Sequence, residues 1–338
     1  MSTNPISNRT EIVFVYDISD ANPNGDPNDE NRPRMDLEAG CAKVSDVRLK
    51  RTIRDYMQDY DHEEIFCREI EKDDGTLQQG KDRAEDFFKT QKAKSVLEKR
   101  SLIEQAVIQS CIDVRLFGAT IPISKTKQNE KDSSVTLTGP VQFAMGTSLH
   151  RVEPRFIKGT GAFASGQGAQ QRTFREEYVL PYALITFYGI VNEQAAKTTL
   201  LSSADAEKLY AAIWYGTKNL ISRSKIGQRP LLLLLVEYNE GSSKSYIGRL
   251  DRFLQIIPAI VQSDASSSVN GFRDEGLRDV AEVKLNLAQL QDAVNAKKDK
   301  IGRIRFAWDS RLKLSHIPEE SDRGWSFLGI PAERLTFD

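Results

Sequence analysis

Histidine and cysteine are scarce in this 338-residue chain, three of each. Cys41, Cys67 and Cys111 are odd in number and scattered, which excludes a disulfide framework and paired metal-ligand spacing and points to a reducing compartment. His62, His150 and His316 have no partner at helical or zinc-finger spacing, so each reads as a surface or packing residue rather than a catalyst. Nucleophile-elbow, zincin and Walker sequences are missing. So are long apolar runs: the longest aliphatic stretch, Leu231 to Val236, is far too short to span a bilayer, and no basic region followed by an apolar segment stands at the start. These absences set the expectation of a cytoplasmic protein with no membrane partner, no cofactor, no metal and no catalytic residue. An excess of either charge is absent too, with 47 Lys and Arg against 48 Asp and Glu, so a nucleic-acid partner must be held by a local patch. With 39% apolar residues the chain has ample material for a core.

What is present is concentrated between Glu11 and Asp59. Glu11-Ile12-Val13-Phe14-Val15-Tyr16-Asp17 is rich in β-branched and aromatic residues and fits a central strand. It runs into Asn22-Pro23-Asn24-Gly25-Asp26-Pro27, where two prolines fix φ and a glycine supplies a left-handed position, which forces a tight turn. Residues 20–43 then read as a long loop carrying Arg32, Arg34 and Lys43, a length uncommon unless the loop is functional or disordered. A helix follows, with Ser45 as its cap and Asp46 at the positive end of its dipole. Leu49, Ile53, Tyr56 and Met57 share an arc of about 100° that packs on a sheet. Arg48, Lys50, Arg51 and Arg54 share an arc of about 160° on the opposite side. A solvated face is the ordinary explanation of such a stripe; four cations without an intervening acid also suit a phosphate backbone.

The run Tyr16–Pro27, then Glu30-Asn31-Arg32-Pro33-Arg34, then Ser45–Tyr56 closely resembles the backbone subunit of type I CRISPR Cascade complexes, nearest to the type I-B branch and next to type I-C. Asp113-Val114-Arg115-Leu116-Phe117-Gly118 and Gly139-Pro140-Val141-Gln142-Phe143 are similar to further segments of that family. The resemblance implies a subunit that oligomerises head to tail along guide RNA and presents it for pairing with invading DNA. Its other implied partners are a cap subunit at the handle end, a large subunit and a small subunit.

From Lys81 to Arg115 the chain lacks Pro and Gly and carries apolar residues at helical spacing, which predicts two helices ending at Gly118 as C-terminal cap. By the resemblance, residues 61–118 are a helical insertion. Residues 119–134 read as irregular, and Val135 to Met145 as extended with a bend at Gly139-Pro140. The Gly-rich stretch Gly159–Gly168 has no Gly-Lys-Ser/Thr ending, so a phosphate-binding loop is a weak reading. Arg151, Arg155, Lys158, Arg172 and Arg175 are mixed here with Phe156, Phe163 and Phe174, a combination that suits single-stranded nucleic acid as well as a mobile surface loop. The resemblance implies a thumb-like hairpin at 146–178 that displaces one guide nucleotide at regular intervals, with Phe156 and Ile157, or Phe163, as the wedge. Further on, Tyr178 to Val191 is a strand candidate, Ser202-Ser203-Ala204-Asp205 a helix start, Arg229 to Tyr238 a buried strand, Asp264 to Asn270 a loop, Val280 to Leu287 extended, Leu287 to Lys297 helical, and Ile301 to Trp308 a last strand.

The order of elements is compatible with an α+β fold, a ferredoxin-like (RRM-like) βαββαβ core in a single domain, 1–338, with the helical insertion and thumb-like hairpin added. Lys50 and Arg54, with Arg48 and Arg51 beside them, are the first candidates for RNA-backbone contact, and Asn24, Arg32 and Arg34 the second. The family segments add Ser45 and Gln142, and the hairpin adds Arg151, Arg155, Phe156, Ile157, Lys158 and Phe163. Two rivals stand beside this. Asp17, Asp20, Asp26 and Asp29 could hold Mg²⁺ for phosphodiester cleavage, and a ferredoxin-like core could serve a stand-alone RNA-binding regulator, although no strand carries the aromatic consensus of RNA recognition motifs.

Overall fold

Thr10–Ala21 forms a strand with every residue from Thr10 to Ile18 buried, as an apolar run without polar alternation demands. Its sheet neighbours are Arg229–Tyr238, buried from Pro230 to Val236, and Phe174–Val191. In this computed structural model, residues 4–89, 92–160, 174–259, 273–316, 318–321 and 324–337 are described. They divide into two compact units, one of Met1–Thr10, Lys50–Gln142 and Ile190–Gly216, the other of Glu11–Leu49, Phe143–Gly189 and Thr217–Asp338.

The large sheet of the second unit runs in the order Glu319–Ser321, Gly324–Phe327, Ile330–Arg334, Ile301–Trp308, Arg229–Tyr238, Thr10–Ala21, Phe174–Val191, Gly146–Ser148, Cys41–Val44, Met35–Asp36. Arg229–Tyr238 and Ile301–Trp308 are antiparallel, from Leu232↔Trp308 to Tyr238↔Ile301. Ile301–Trp308 is not the last strand. Ile330–Arg334 lies parallel to it, and three- to five-residue strands of this kind are too short to show a period in the sequence. The core joins Val13, Val15, Tyr182, Leu184, Leu232, Leu234 and Phe306.

Of the three acids on the central strand, Glu11 and Asp17 are fully buried, a placement tolerated only with partners. Glu11 accepts from the hydroxyls of Tyr188 (2.7 Å) and Tyr238 and from the backbone N–H groups of Ile247 (3.0 Å) and Gly248 (2.7 Å). Asp17 accepts from Tyr182 Oη (3.1 Å) and from both forks of Arg229 (2.8 and 2.5 Å). Burial raises all three phenols well above their ordinary range, so they stay protonated donors.

In the first unit, three helices replace the expected two: Gly80–Asp86, Val96–Ser110 and Ile112–Phe117. Ser95 caps the second by accepting from Glu98 N (3.3 Å), and Cys111 breaks the run in an extended conformation. Gly118 ends the third with φ +72, donating its N–H to Val114 O. A side chain there would fall 2.0 Å from Leu137 O, so the glycine serves both the turn and the close approach. The expected irregular segment begins as a strand: Gly118–Ile123 pairs antiparallel with Ser133–Thr138 and packs on Ile103, Val107 and Val114. Pro122 concealed it from the sequence, and a two-stranded ribbon, edge on both sides, accepts a proline. Ile6 N bonds Leu201 O (2.9 Å), and Ser202 caps Ser203–Lys218 in a reciprocal pair with Asp205 (3.1 and 3.2 Å). The three cysteines are free, and no helix of the described residues is long and apolar enough to cross a membrane.

Candidate nucleic-acid interface

The stretch that reads as a long loop is folded. Gly25–Asp26 pairs with Arg32–Pro33, and Met35–Asp36 with Cys41–Val44, whose Lys43 and Val44 face Thr147 and Gly146 across the sheet. The first turn is closed by Asp26, whose carbonyl accepts from Asp29 N (3.0 Å) and Asn31 N (2.9 Å) and whose carboxyl takes Arg34 in a fork (2.9 and 3.3 Å). Asn24 fastens it to the helix: its Oδ1 accepts from Ser45 N (2.8 Å), while Ser45 Oγ accepts from Arg48 N (3.2 Å) as the expected cap.

On the helix Asp46–Asp59, Leu49, Ile53 and Met57 are buried as expected, but Tyr56 is half-buried and stacks on Tyr60 and Tyr215 at 4.9 and 6.0 Å between centroids. One of the cations meets an acid that the local sequence does not show. Arg54 Nε donates to Asp113 Oδ2 (2.9 Å), and its guanidinium lies 5.0 Å from the centre of the Phe117 ring. Asp113 is fully buried and also accepts from Phe66 N (2.8 Å) and Cys67 N (3.1 Å). Lys50 Nζ donates to Gln142 Oε1 (3.1 Å), Arg51 pairs with Asp55 (2.6 Å), and Arg48 is half-buried.

Arg155–Thr160 pairs antiparallel with the start of Phe174–Val191, from Arg155↔Val179 to Thr160↔Phe174, which makes a two-stranded arm. Phe163, Arg172 and most of the Gly-rich stretch, 161–168, lie outside the described residues, as does the Asp264 to Asn270 loop. Phe156 is 49% exposed and Ile157 42%, and as strand neighbours they point to opposite faces. The Phe156 ring is 5.0 Å from that of Tyr178, and Arg32 lies 4.4 Å over the Tyr178 ring while donating to its hydroxyl (2.9 Å). The structure thus brings Arg32 of the first loop onto the base of the arm. Lys158 pairs across the arm with Glu176 (3.1 Å), Arg151 pairs with Glu275 (3.1 Å), and Arg155 is exposed.

A further segment has no forewarning in the sequence. Residues 219–228 meet the same elements: Ser224 O accepts from Asn22 N (2.8 Å), and Arg223 pairs with Glu177 on the arm (2.8 Å). Its Ser-Arg-Ser-Lys composition is an ordinary loop signal, and only the sheet carries it to residues some two hundred positions earlier. The acids considered for Mg²⁺ are largely spoken for. Asp17 is taken by Arg229 and Tyr182, Asp26 by Arg34, and Asp29 sits 3.7 Å from Arg32. Among the described residues no group of three His, Cys, Asp or Glu could hold a metal ion.

What the second unit assembles is a set of cations and exposed apolar side chains, an arrangement that can hold anions and flat rings. The fold resembles that of a solved chain titled CRISPR RNA-guided surveillance complex, pre-nicking, with a TM-score of 0.50 and 9% identity, covering 98% of this chain and 96% of that one. A chain of another CRISPR RNA-guided surveillance complex aligns with a TM-score of 0.45 and 13% identity over 91% of this chain and 95% of that one. CRISPR-associated protein Cas7 of Haloferax volcanii is 33% identical over 343 residues, covering 95% of this chain and 93% of its own length. The profile of CRISPR-associated protein Cas7 matches residues 8–278, a span that takes in the strand, the turn, the helix and the arm described above, and the chain therefore belongs to the Cas7 family.

Proposed function

We propose that the protein is the backbone subunit of a CRISPR guide-RNA complex of type I, nearest to type I-B. Several copies assemble head to tail along one guide RNA and hold it for pairing with invading DNA. A handle-end cap subunit, a large subunit and a small subunit complete the assembly. The observation that carries this reading is the base of the arm, where Phe156 stands exposed against Tyr178 and Arg32, with Ile157 exposed on the opposite face. A guide can have any sequence, so its holder must use what every nucleotide shares, phosphates, riboses and ring faces. Asn24, Arg34, Ser45, Arg48, Lys50, Arg51, Gln142, Arg151, Arg155 and Lys158 serve the first two, and Phe156 or Ile157 fills the gap left by an unstacked base. Head-to-tail contact is heterologous and does not close, so the RNA sets the length.

The domain reading that accompanies this is a ferredoxin-like core. Taking Thr10–Ala21, Gly146–Ser148, Phe174–Val191 and Arg229–Tyr238 as strands one to four, their order in the sheet is 4-1-3-2, with the helices Asp46–Asp59 and Ser203–Lys218 in the two crossovers of the chain. Residues 61–118 are then the helical insertion and 146–178 the thumb.

Recovery of nucleic acid from the purified protein tests the function. Wild type carries CRISPR guide RNA in a ladder of multimers, and Lys50→Glu/Arg51→Glu, at positions away from the buried Asp113, weakens that retention while leaving the fold intact. Wild type that carries no RNA, alone or with its partner subunits, overturns the proposal.

A further inference from the structure

We infer that residues 219–228 form a ribose-phosphate subsite for single-stranded RNA, with Arg48 and Lys225 on one phosphate and Ile221 and Ile226 against the adjoining ribose or base. The inference rests on the RNA-binding function proposed above and adds to it a segment that the motifs leave out.

Four observations support it. Ile221 and Ile226 are 72% and 60% exposed, on either side of Arg223 and Lys225, so an apolar pair brackets a cation pair along a surface segment. The segment is fastened, not loose. Ser222 O accepts from Lys225 N (3.0 Å) and Ile226 N (2.8 Å), Ser224 O from Asn22 N (2.8 Å), and Arg223 is locked to Glu177 (2.8 Å). A preorganised loop loses little freedom when a ligand arrives. Gly227 closes the turn at φ +88 with open space around it, so the glycine serves the backbone and leaves the surface clear.

The fourth is electrostatic. Lys225 is partly buried, and its Nζ donates to a neutral oxygen, Ser224 Oγ (3.0 Å). Its ammonium pKa is pushed below the usual lysine value first by burial and then by the positive charge of Arg48. Asn22 N bonds Ser224 O and Asn24 Oδ1 accepts from Ser45 N, so residues 22–24 tie this segment to the start of the helix, and a phosphate held by both cations relieves their mutual repulsion. Arg48 belongs to the first turn of the helix, which Asn24 ties to the loop, and Glu177 to the arm. The subsite therefore draws on the same three elements that carry the candidate RNA contacts, and Arg223 serves it as a strut.

The test uses the full chain and a fluorescein-labelled single-stranded RNA of arbitrary sequence, titrated across potassium chloride concentrations. Lys225→Met removes one phosphate contact, so the slope of log K against log salt falls in magnitude by about 0.7 and affinity at low salt falls several-fold. A benzoylphenylalanine photocrosslinker at Ile221 labels the RNA, and one at Ile257, 38% exposed on the strand Gln255–Pro258, does not. If wild type binds RNA while Lys225→Met leaves the slope unchanged and the Ile221 position fails to crosslink, the subsite is wrong and the function above stands. If wild type binds no RNA, that function falls and the subsite with it.

Discussion

The helix Asp46–Asp59 places four cations within seven residues, Arg48 to Arg54, whereas residues 219–228 place two within ten. By charge counting the helix is the obvious anion site and the later segment is not. The fold redistributes these roles. Arg54 is drawn to a buried Asp113, Arg51 to Asp55 one turn on, and Lys50 to Gln142. In residues 219–228, Arg223 is anchored to Glu177, but Lys225 is held beside like charge with a neutral partner and flanked by exposed isoleucines. Availability of a cation depends on which acids the rest of the chain brings to it, and Asp113 comes to Arg54 from 59 positions away.

The largest effect expected from this comparison is on stability. Arg54→Ala leaves Asp113 buried without its ionic partner and costs about 3–5 kcal/mol, read as a lower denaturant midpoint. Lys50→Ala changes stability by no more than about 0.5 kcal/mol. Equal stability of the two variants breaks the distinction between a structural and a surface cation.

A middle-sized effect comes from the arm. Tyr178→Phe removes the hydroxyl that accepts from Arg32 and costs about 1 kcal/mol, while Tyr178→Ala also removes the ring contacts with Arg32 and Phe156, for about 1–2 kcal/mol more. Thermal melts of both variants measure this. If Tyr178→Ala is no worse than Tyr178→Phe, the stack does not seat the arm.

The smallest effect depends on pH. His150 is buried, accepts from Leu184 N at Nε2 (3.2 Å), and so carries its proton on Nδ1, which faces the carbonyls of Arg151 (2.9 Å) and Asp274 (3.2 Å). Burial pushes its pKa below the ordinary imidazole value. Below pH about 6.5 the unfolded chain takes up a proton that the folded one refuses. The stability that His150 contributes is therefore full above about 6.5 and is lost as pH falls through its lowered folded value, by at most about 1.4 kcal/mol per pH unit. His150→Gln shows a flatter decline between pH about 7 and about 5.5; an identical decline in both proteins contradicts this role.

Much of this was legible in advance because local chemistry settled it. The apolar run of Thr10–Ala21, the Ser45 cap, the left-handed Gly118 and the all-aliphatic Arg229–Tyr238 each follow from residues within a few positions. Folding of the 22–44 stretch was not, since its strands are two to four residues long and its bonds run from Asp26 to Arg34 and from Asn24 to Ser45. Nor was the loss of Asp17 as a metal ligand, because Arg229 reaches it from 212 positions away. The family resemblance points to Phe156 and Ile157, but the seating of Phe156 and Arg32 on Tyr178 needs the strand register.

The central claim, that repeated copies hold one guide through this arm, is tested most directly by chemical probing of guide bases in the purified assembly. The account predicts reactive bases at a regular interval in wild type and loss of that periodicity in Phe156→Ala/Ile157→Ala, with RNA still bound. A pattern that is periodic and identical in both proteins, or uniform protection in wild type, would contradict it.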